Sequence, residues 1–193
     1  VGTQMLSKGL DFENVSLVGI LNADMMLNFP DFRAHERAFQ LMVQVSGRAG
    51  RSNKQGKVMI QTYNPYHQIL QQVSITDYTT MYKEQIQDRW QYYYPPYYRL
   101  IKITLKHKDY QKTETGVNWL VRALQNVFGE NVLGPSSPAV SRIRNQYIKN
   151  VMIKIPPKQS IVKTKHEIIK VKNSFQSISD FRPIRFIIDV DAY

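Results

Sequence analysis

The sequence predicts an α/β protein built from two units, and three observations carry that prediction. Short β-branched runs alternate with stretches of helical periodicity, the pattern of layered α/β folds. A run of tyrosines and prolines, Tyr92-Tyr93-Tyr94-Pro95-Pro96-Tyr97-Tyr98, interrupts the chain near its middle. Charge changes across that interruption: residues 1–100 carry 10 Lys+Arg against 8 Asp+Glu, and residues 101–193 carry 16 against 7. Two prolines forbid helix continuation and set extended backbone around them. The expected division is therefore 1–91, a junction at 92–98, and 99–193.

In the first unit, Val15–Leu21 is short, apolar and partly β-branched, which reads as a buried strand of a parallel sheet. Asn22-Ala23-Asp24 ends it and Pro30-Asp31-Phe32 is a turn. Arg33 to about Val45 is helical, ending at Gly47-Arg48-Ala49-Gly50-Arg51. Ser52–Gly56 is a loop and Lys57–Tyr63 a second strand. Asn64-Pro65 opens a helix at about Tyr66–Val73, and another follows at about Thr76–Trp90. In the second unit, Leu100–Lys106 alternates as a strand. Lys112–Phe128 has Val117, Leu120, Val121, Leu124 and Val127 at helical spacing. Val132-Leu133 is a short strand, Ala139–Arg144 is extended, and Tyr147–Ile155 is a strand. Ser160 is a candidate N-cap for a helix to about Ile178, and Ile184–Val190 is the last strand. That order, β-α-β-β-α-β, is the split-βαβ arrangement of a small α+β domain.

Composition narrows the function classes. The chain has 193 residues, no cysteine and a formal net charge of +11. Without cysteine there are no disulfides, zinc-thiolate sites or cysteine nucleophiles. No apolar run approaches the ~18 residues of a membrane span. Val1-Gly2-Thr3-Gln4 has neither an initiator Met nor a signal-peptide pattern, so a piece of a longer protein is expected. A basic second half suits a polyanion, with nucleic acid the commonest through phosphate neutralisation; a solvated basic surface is the alternative. The four histidines are scattered without ligand spacing, and no metal site is expected. Asp189 and Asp191 alternate on a strand, which reads as a solvated strand end.

The residues that suggest chemistry lie in the first fifty or so. Gln44-Val45-Ser46-Gly47-Arg48-Ala49-Gly50-Arg51 has the form Q-x-x-G-R-x-G-R. On helical spacing Gln44, Arg48 and Arg51 share one face. Two guanidiniums there can grip a phosphate, and the glycines leave room for a nucleotide or another chain to approach. The chemistry this suits is an arginine finger on a transferred γ-phosphate; a basic helix end offsetting the helix dipole is the alternative. Upstream, Gly9 permits a tight turn at a strand edge, where open α/β sheets bind ligands. Asp11 could accept from a ribose hydroxyl, and Thr3 and Lys8 could touch phosphates. Gly47-Arg48-Ala49-Gly50 is also formally a GxxG of the KH type, which keeps an autonomous nucleic-acid-binding module as the alternative to an enzyme fragment.

Gly2-Thr3-Gln4-Met5 with Lys8-Gly9-Leu10-Asp11-Phe12 resembles motif V of superfamily 2 helicases, and Gln44–Arg51 resembles their motif VI. Ala23-Asp24, Pro30-Asp31-Phe32-Arg33-Ala34, Glu36-Arg37 and Phe39-Gln40-Leu41 between them are similar to the bacterial primosomal replication-restart helicases, the primosomal protein N′ family. Tyr94-Pro95-Pro96-Tyr97, Leu133-Gly134-Pro135 and Asp189-Val190-Asp191 agree with that family's C-terminal domain.

The resemblance implies that residues 1–91 are the C-terminal part of a RecA-like helicase lobe two and that 99–193 bind DNA and partners. It implies that Arg48 and Arg51 reach a γ-phosphate and that Gln44 positions ATP. Gly9 and Asp11 would sit at the nucleotide edge; Thr3, Gln4 and Lys8 would couple nucleotide state to DNA. ATP and Mg²⁺ would serve the longer protein, with the Mg²⁺ ligands, the P-loop and the family's zinc-binding cysteines all outside this chain. Gly50 to Lys57-Val58 has one residue too many for a Walker A motif and lacks its hydroxyl, so the chain alone is expected not to hydrolyse ATP. Implied partners are branched and single-stranded DNA, the acidic C-terminal tail of single-strand-binding protein and other primosome proteins, in a cytoplasmic, nucleoid-associated setting with no membrane role. For the second unit the candidate contacts are Arg142, Arg144, Lys149, Lys154, Lys163 and Lys165, with Tyr147 for base stacking. The domain itself is implied to resemble a ribosomal small-subunit protein. The Tyr92–Tyr98 rings could stack on bases, but interdomain packing is the favoured reading.

Overall fold

A computed structural model of the chain describes residues 15–49 and 56–191. Thr3, Gln4, Lys8, Gly9, Asp11 and Arg51 lie outside the described residues. The chain divides into two compact units, Val1–Asp88 and Arg89–Tyr193.

In the first unit, β1 (Leu17–Ile20) pairs in parallel with β2 (Lys57–Ile60), from Leu17 opposite Lys57 to Ile20 opposite Ile60. Four helices accompany them: α1 (Ala23–Leu27), α2 (Ala34–Ser46), α3 (Gln68–Ser74) and α4 (Tyr78–Gln91), whose last turn passes into the second unit. The core joins Val18 and Ile20 to Ala23, Ala38, Phe39, Met42, Leu70, Val73 and Met81. The strand at 15–21 is parallel as expected, but it is not buried on both faces. Val18 and Ile20 point into the core, while Leu17 is 55% exposed and Met59 on β2 64% exposed. An unbroken apolar run signals cover on both faces; among the described residues only one is covered. The short α1 is not among the elements the sequence predicts. Asn22 takes a left-handed φ of 53°, the kind of conformation Asn tolerates, and turns the chain straight from strand into helix.

The second unit contains β3 (Arg99–His107), α5 (Tyr110–Phe128), a 3-10 turn at Gly129–Asn131, β4 (Val132–Ser136), β5 (Arg142–Ile143), β6 (Gln146–Ile155), α6 (Ile161–Ser177) and β7 (Arg185–Val190). The sheet order is β4-β6-β3-β7, each neighbour antiparallel, with β5 hairpinned onto β6. Thus α5 carries the chain from β3 to β4 and leaves a gap that β6 later fills. Ile101, Ile103 and Leu105 alternate inward and are fully buried with Val151 and Ile153. Against them lie Val117, Leu120 and Leu124 of α5 and Ile168, Val171 and Phe175 of α6. Both helices therefore cover the same sheet face. Asp109 caps α5 by accepting from Lys112 N at 3.0 Å, and Ser160 caps α6 by accepting from Lys163 N at 3.4 Å. Gly134 is needed where it stands: its φ is +125° and a Cβ there would lie 3.0 Å from Asn150 O.

Candidate nucleotide and nucleic-acid sites

Of the Q-x-x-G-R-x-G-R segment the structure describes Gln44 to Ala49. The regular helix α2 ends at Ser46, yet Gly47 keeps helical backbone (φ −65°, ψ −1°). Arg48 N donates to Val45 O and Ala49 N to Ser46 O, both at 3.1 Å, so the chain tightens into 3-10 turns rather than leaving the helix. Gln44 and Arg48 consequently stay one turn apart on a shared face, Gln44 exposed and Arg48 half-buried. A Cβ on Gly47 would meet nothing closer than Val43 O at 3.5 Å, an ordinary contact. The backbone does not require glycine here. Gly47 itself is exposed, next to the half-buried Arg48.

The carboxyl ends of β1 and β2 are tied together by one carboxylate. Asp24, in the first turn of α1, accepts from Thr62 Oγ1 at 2.9 Å and from Tyr63 N at 3.0 Å. The backbone bond from Tyr63 is the main cause that holds this carboxyl below its usual range. Beside it lies a cleft of about 490 Å³ lined by His35, Asn64, Tyr66, His67, Glu84 and Asp88, among others. His67 Nδ1 accepts from Ile69 N at 3.2 Å and so caps α3 in its unprotonated form. Its ring centroid lies 5.3 Å from that of His35. Burial lowers the pKa of His67 and the neighbouring His35 lowers it further, against an opposing pull from Asp24. Sequence reading missed this cleft because its histidines are 32 positions apart. Among the described residues no cluster of His, Asp and Glu has the makings of a metal site.

In the second unit the structure gathers some candidates and separates others. Arg142 and Tyr147 are opposite each other in the β5–β6 hairpin, with the guanidinium 4.9 Å from the ring centroid. Tyr147 meets Tyr110 of α5 edge-on at 5.3 Å. Lys149 also faces the helix side: its Nζ is 2.8 Å from Glu114 of α5 and 5.7 Å from the Tyr110 ring centroid. The hairpin turn is Arg144-Asn145, with φ of 48° and 60°, and Arg142 just before it donates to Asn145. Lys154 lies elsewhere. Its ammonium donates to Tyr92 O at 2.6 Å and sits 3.9 Å from the Tyr94 ring centroid, and burial lowers its pKa. Lys163 and Lys165 are exposed in the first turns of α6 on either side of the buried Thr164.

The tyrosine-proline junction packs within its own unit, through Lys154 and through a Tyr93–Tyr98 ring contact at 4.9 Å. Asp189 and Asp191 do not share a strand face: β7 stops at Val190 and Asp191 takes a left-handed φ of 55°. No helix among the described residues is long and apolar enough to cross a membrane.

Residues 91–193 match the family model described as Primosomal protein N C-terminal domain. The chain is 44% identical to the replication restart protein PriA of Bacillus subtilis over 156 residues, 80% of this chain and 19% of that protein. It is 35% identical to the protein of that name from Synechocystis sp. over 194 residues, 100% of this chain and 22% of that one. It is also 35% identical to the Haemophilus influenzae protein over 195 residues, 99% and 26% respectively. The chain thus spans about a fifth to a quarter of the length of these curated relatives.

Proposed function

This chain belongs to the primosomal protein N C-terminal domain family, and we propose that it is the C-terminal part of an ATP-dependent DNA helicase that restarts replication. In that reading the longer protein recognises and remodels stalled forks and reloads the primosome in the bacterial cytoplasm, at the nucleoid. The first unit is part of a RecA-like lobe two. The second is a split-βαβ domain that binds branched and single-stranded DNA and the acidic tail of single-strand-binding protein.

The observation that supports the first half best is the end of α2. The helical twist persists to Ala49, so Arg48 follows Gln44 by one turn, beside the exposed Gly47. Arg48 and Arg51 act as arginine fingers, offsetting charge that develops on the transferred γ-phosphate. Gln44 positions the nucleotide. Gly9 and Asp11 meet its ribose edge, and Thr3, Gln4 and Lys8 pass its state to DNA. When bound, ATP with Mg²⁺ supplies the phosphoryl group whose transfer drives the motor; the Mg²⁺ ligands, the P-loop and the zinc sites belong to parts of the longer protein outside this chain. In the second unit, Arg142, Arg144, Lys163 and Lys165 meet phosphates or an acidic peptide, and Tyr147 offers a ring. Lys149 and Lys154, tied to Glu114 and Tyr92, position α5 and the junction.

The test uses the purified 193-residue chain. It should bind labelled DNA with a salt-dependent affinity and show no ATP hydrolysis above buffer. ATPase activity of this chain alone would sink the proposal.

A further inference from the structure

Because α5 and α6 cover one face of the second unit's sheet, the opposite face carries no helix. Strand register places its residues in four rows across the strands; one of them, Lys154 beside Leu100, is covered, with Leu100 fully buried and Lys154 held at Tyr92 and Tyr94, and three remain. One row runs Ile148, Lys106, Arg185, of which Ile148 is buried beside the segment at Ser141. The next runs Ser136, Asn150, Thr104, Ile187, and the third Leu133, Met152, Lys102, Asp189. Neighbours within a row are about 4.8 Å apart, and rows on one strand about 6.8 Å apart. The inward residues agree with this parity: Phe186 beside Arg185 packs on Phe175 of α6 at 5.5 Å, while Arg185 itself is exposed.

Lys106 and Arg185 are therefore like charges held directly opposite each other. Such a pair opposes strand pairing unless an anion sits between its members. Among the described residues neither is in an ion pair. Lys102, four residues back along β3, extends the cationic strip, with Asp189 opposite it as the only acid in the three rows. Between the cations stand Thr104 on β3, which is buried, and Ile187 on β7; Asn150, joined to Thr104 by a 2.9 Å hydrogen bond, and the apolar Met152 and Leu133 lie to one side of them on β6 and β4.

We propose that this helix-free face binds single-stranded nucleic acid, with Lys106, Arg185 and Lys102 on the phosphates and Met152, Ile187 and Leu133 under the bases. The choice of occupant follows from the mixture of side chains. A flat strip of cations alone would suit a duplex, which presents only phosphates and sugars to a flat surface. Apolar side chains set in and beside a row of cations suit splayed bases, which have faces to cover. None of the three cations is near the hairpin in sequence, and Tyr147 and Lys149 project from the other face. The proposal rests on the nucleic-acid-binding reading above and names a face for it.

The experiment measures binding of the whole chain to a fluorescein-labelled oligothymidylate by anisotropy over a salt series. The variants are Lys102→Ala/Lys106→Ala/Arg185→Ala and, as a charge-matched control on the helices, Arg122→Ala/Lys170→Ala/Lys172→Ala. The log–log salt slope should fall by about 2 in the first triple, at about 0.7 for each phosphate of a single strand that is no longer neutralised, and change little in the control. A single Arg185→Gln variant, exposed on the edge strand, should lower the slope by about 0.7 and guards against misfolding of the triple. If the unaltered chain binds no DNA, the broader reading fails. If it binds but the face variants match it, or the control is weakened as much, this proposal alone is overturned. A loss confined to duplex DNA also overturns it.

Discussion

Gly116 of α5 lies against Ile184, just ahead of β7, and Phe175 of α6, and replacing it tests how tightly the helix layer is fixed. A Cβ built at Gly116 lies 2.7 Å from Ile184 Cδ1 and 3.3 Å from Phe175 Cζ. Ile184 is 2% exposed and Phe175 fully buried, and Phe175 also stacks on Phe181 at 5.0 Å, so the ring has nowhere to go. Overpacking of this kind costs about 1–3 kcal/mol. Alanine's better helix propensity offsets about 1 kcal/mol of that. Gly116→Ala should therefore destabilise the second unit by about 1 kcal/mol, or several degrees in Tm for a unit of this size. Ile184→Val removes the obstructing Cδ1 at a cost of about 1 kcal/mol on its own. In its presence the new methyl has room, so the double variant should be less destabilised than the sum of the two, with a coupling of about 1 kcal/mol or more. Trp119 packs on Phe175 and Phe181 at 5.8 and 6.2 Å and reports unfolding of this unit by fluorescence. Additive effects within about 0.3 kcal/mol would refute so close an approach of α5 to Ile184.

Two further outcomes follow from single residues. His67 caps α3 unprotonated and its pKa is lowered from 6.5, so the unfolded chain binds the proton more readily than the folded one. Stability of the first unit is therefore full above about pH 6.5 and falls as pH drops through the lowered folded value. Urea midpoints at about pH 7.5 and pH 5.5 should differ, and His67→Asn, which can still cap, should remove most of that difference. Arg144 occupies a left-handed position in a two-residue hairpin turn, where Gly or Asn is usual. Arg144→Gly should leave thermal stability equal or raised by up to about 1 kcal/mol, while weakening DNA binding in the same salt series.

Much of the fold is legible in the sequence because its elements are long and their periods clear. The apolar spacing of α5 from Val117 to Leu124, the alternation of β3 and the Ser160 cap all appear where expected. The losses have physical causes. α1 has five residues and β5 two, too few to show any period. The exposure of Leu17 depends on which neighbours cover the sheet, not on the strand's own residues. Function divides the same way. Gln44 and Arg48 lie within one helix turn, so spacing alone brings them together. The Lys149–Glu114 pair and the row joining Lys106 to Arg185 exist only because a crossover leaves room for β6 and brings β7 beside β3. Residues 79 positions apart in the chain meet through that topology alone, and a pass along the sequence sees only scattered basic residues.

The proposal to be tested is that Arg48, just past the end of α2, and Arg51, three positions on in the sequence, are directed at a phosphate in an ATP-dependent motor. The most direct measurement is steady-state ATPase and DNA binding of the full-length protein with Arg51→Ala. Loss of an arginine finger lowers phosphoryl transfer by about 10³-fold or more. ATPase should fall by that factor while DNA affinity stays within about twofold of the unaltered protein, since removing one cation leaves the other phosphate-binding groups in place. Undiminished ATPase with Arg51 replaced would contradict the account.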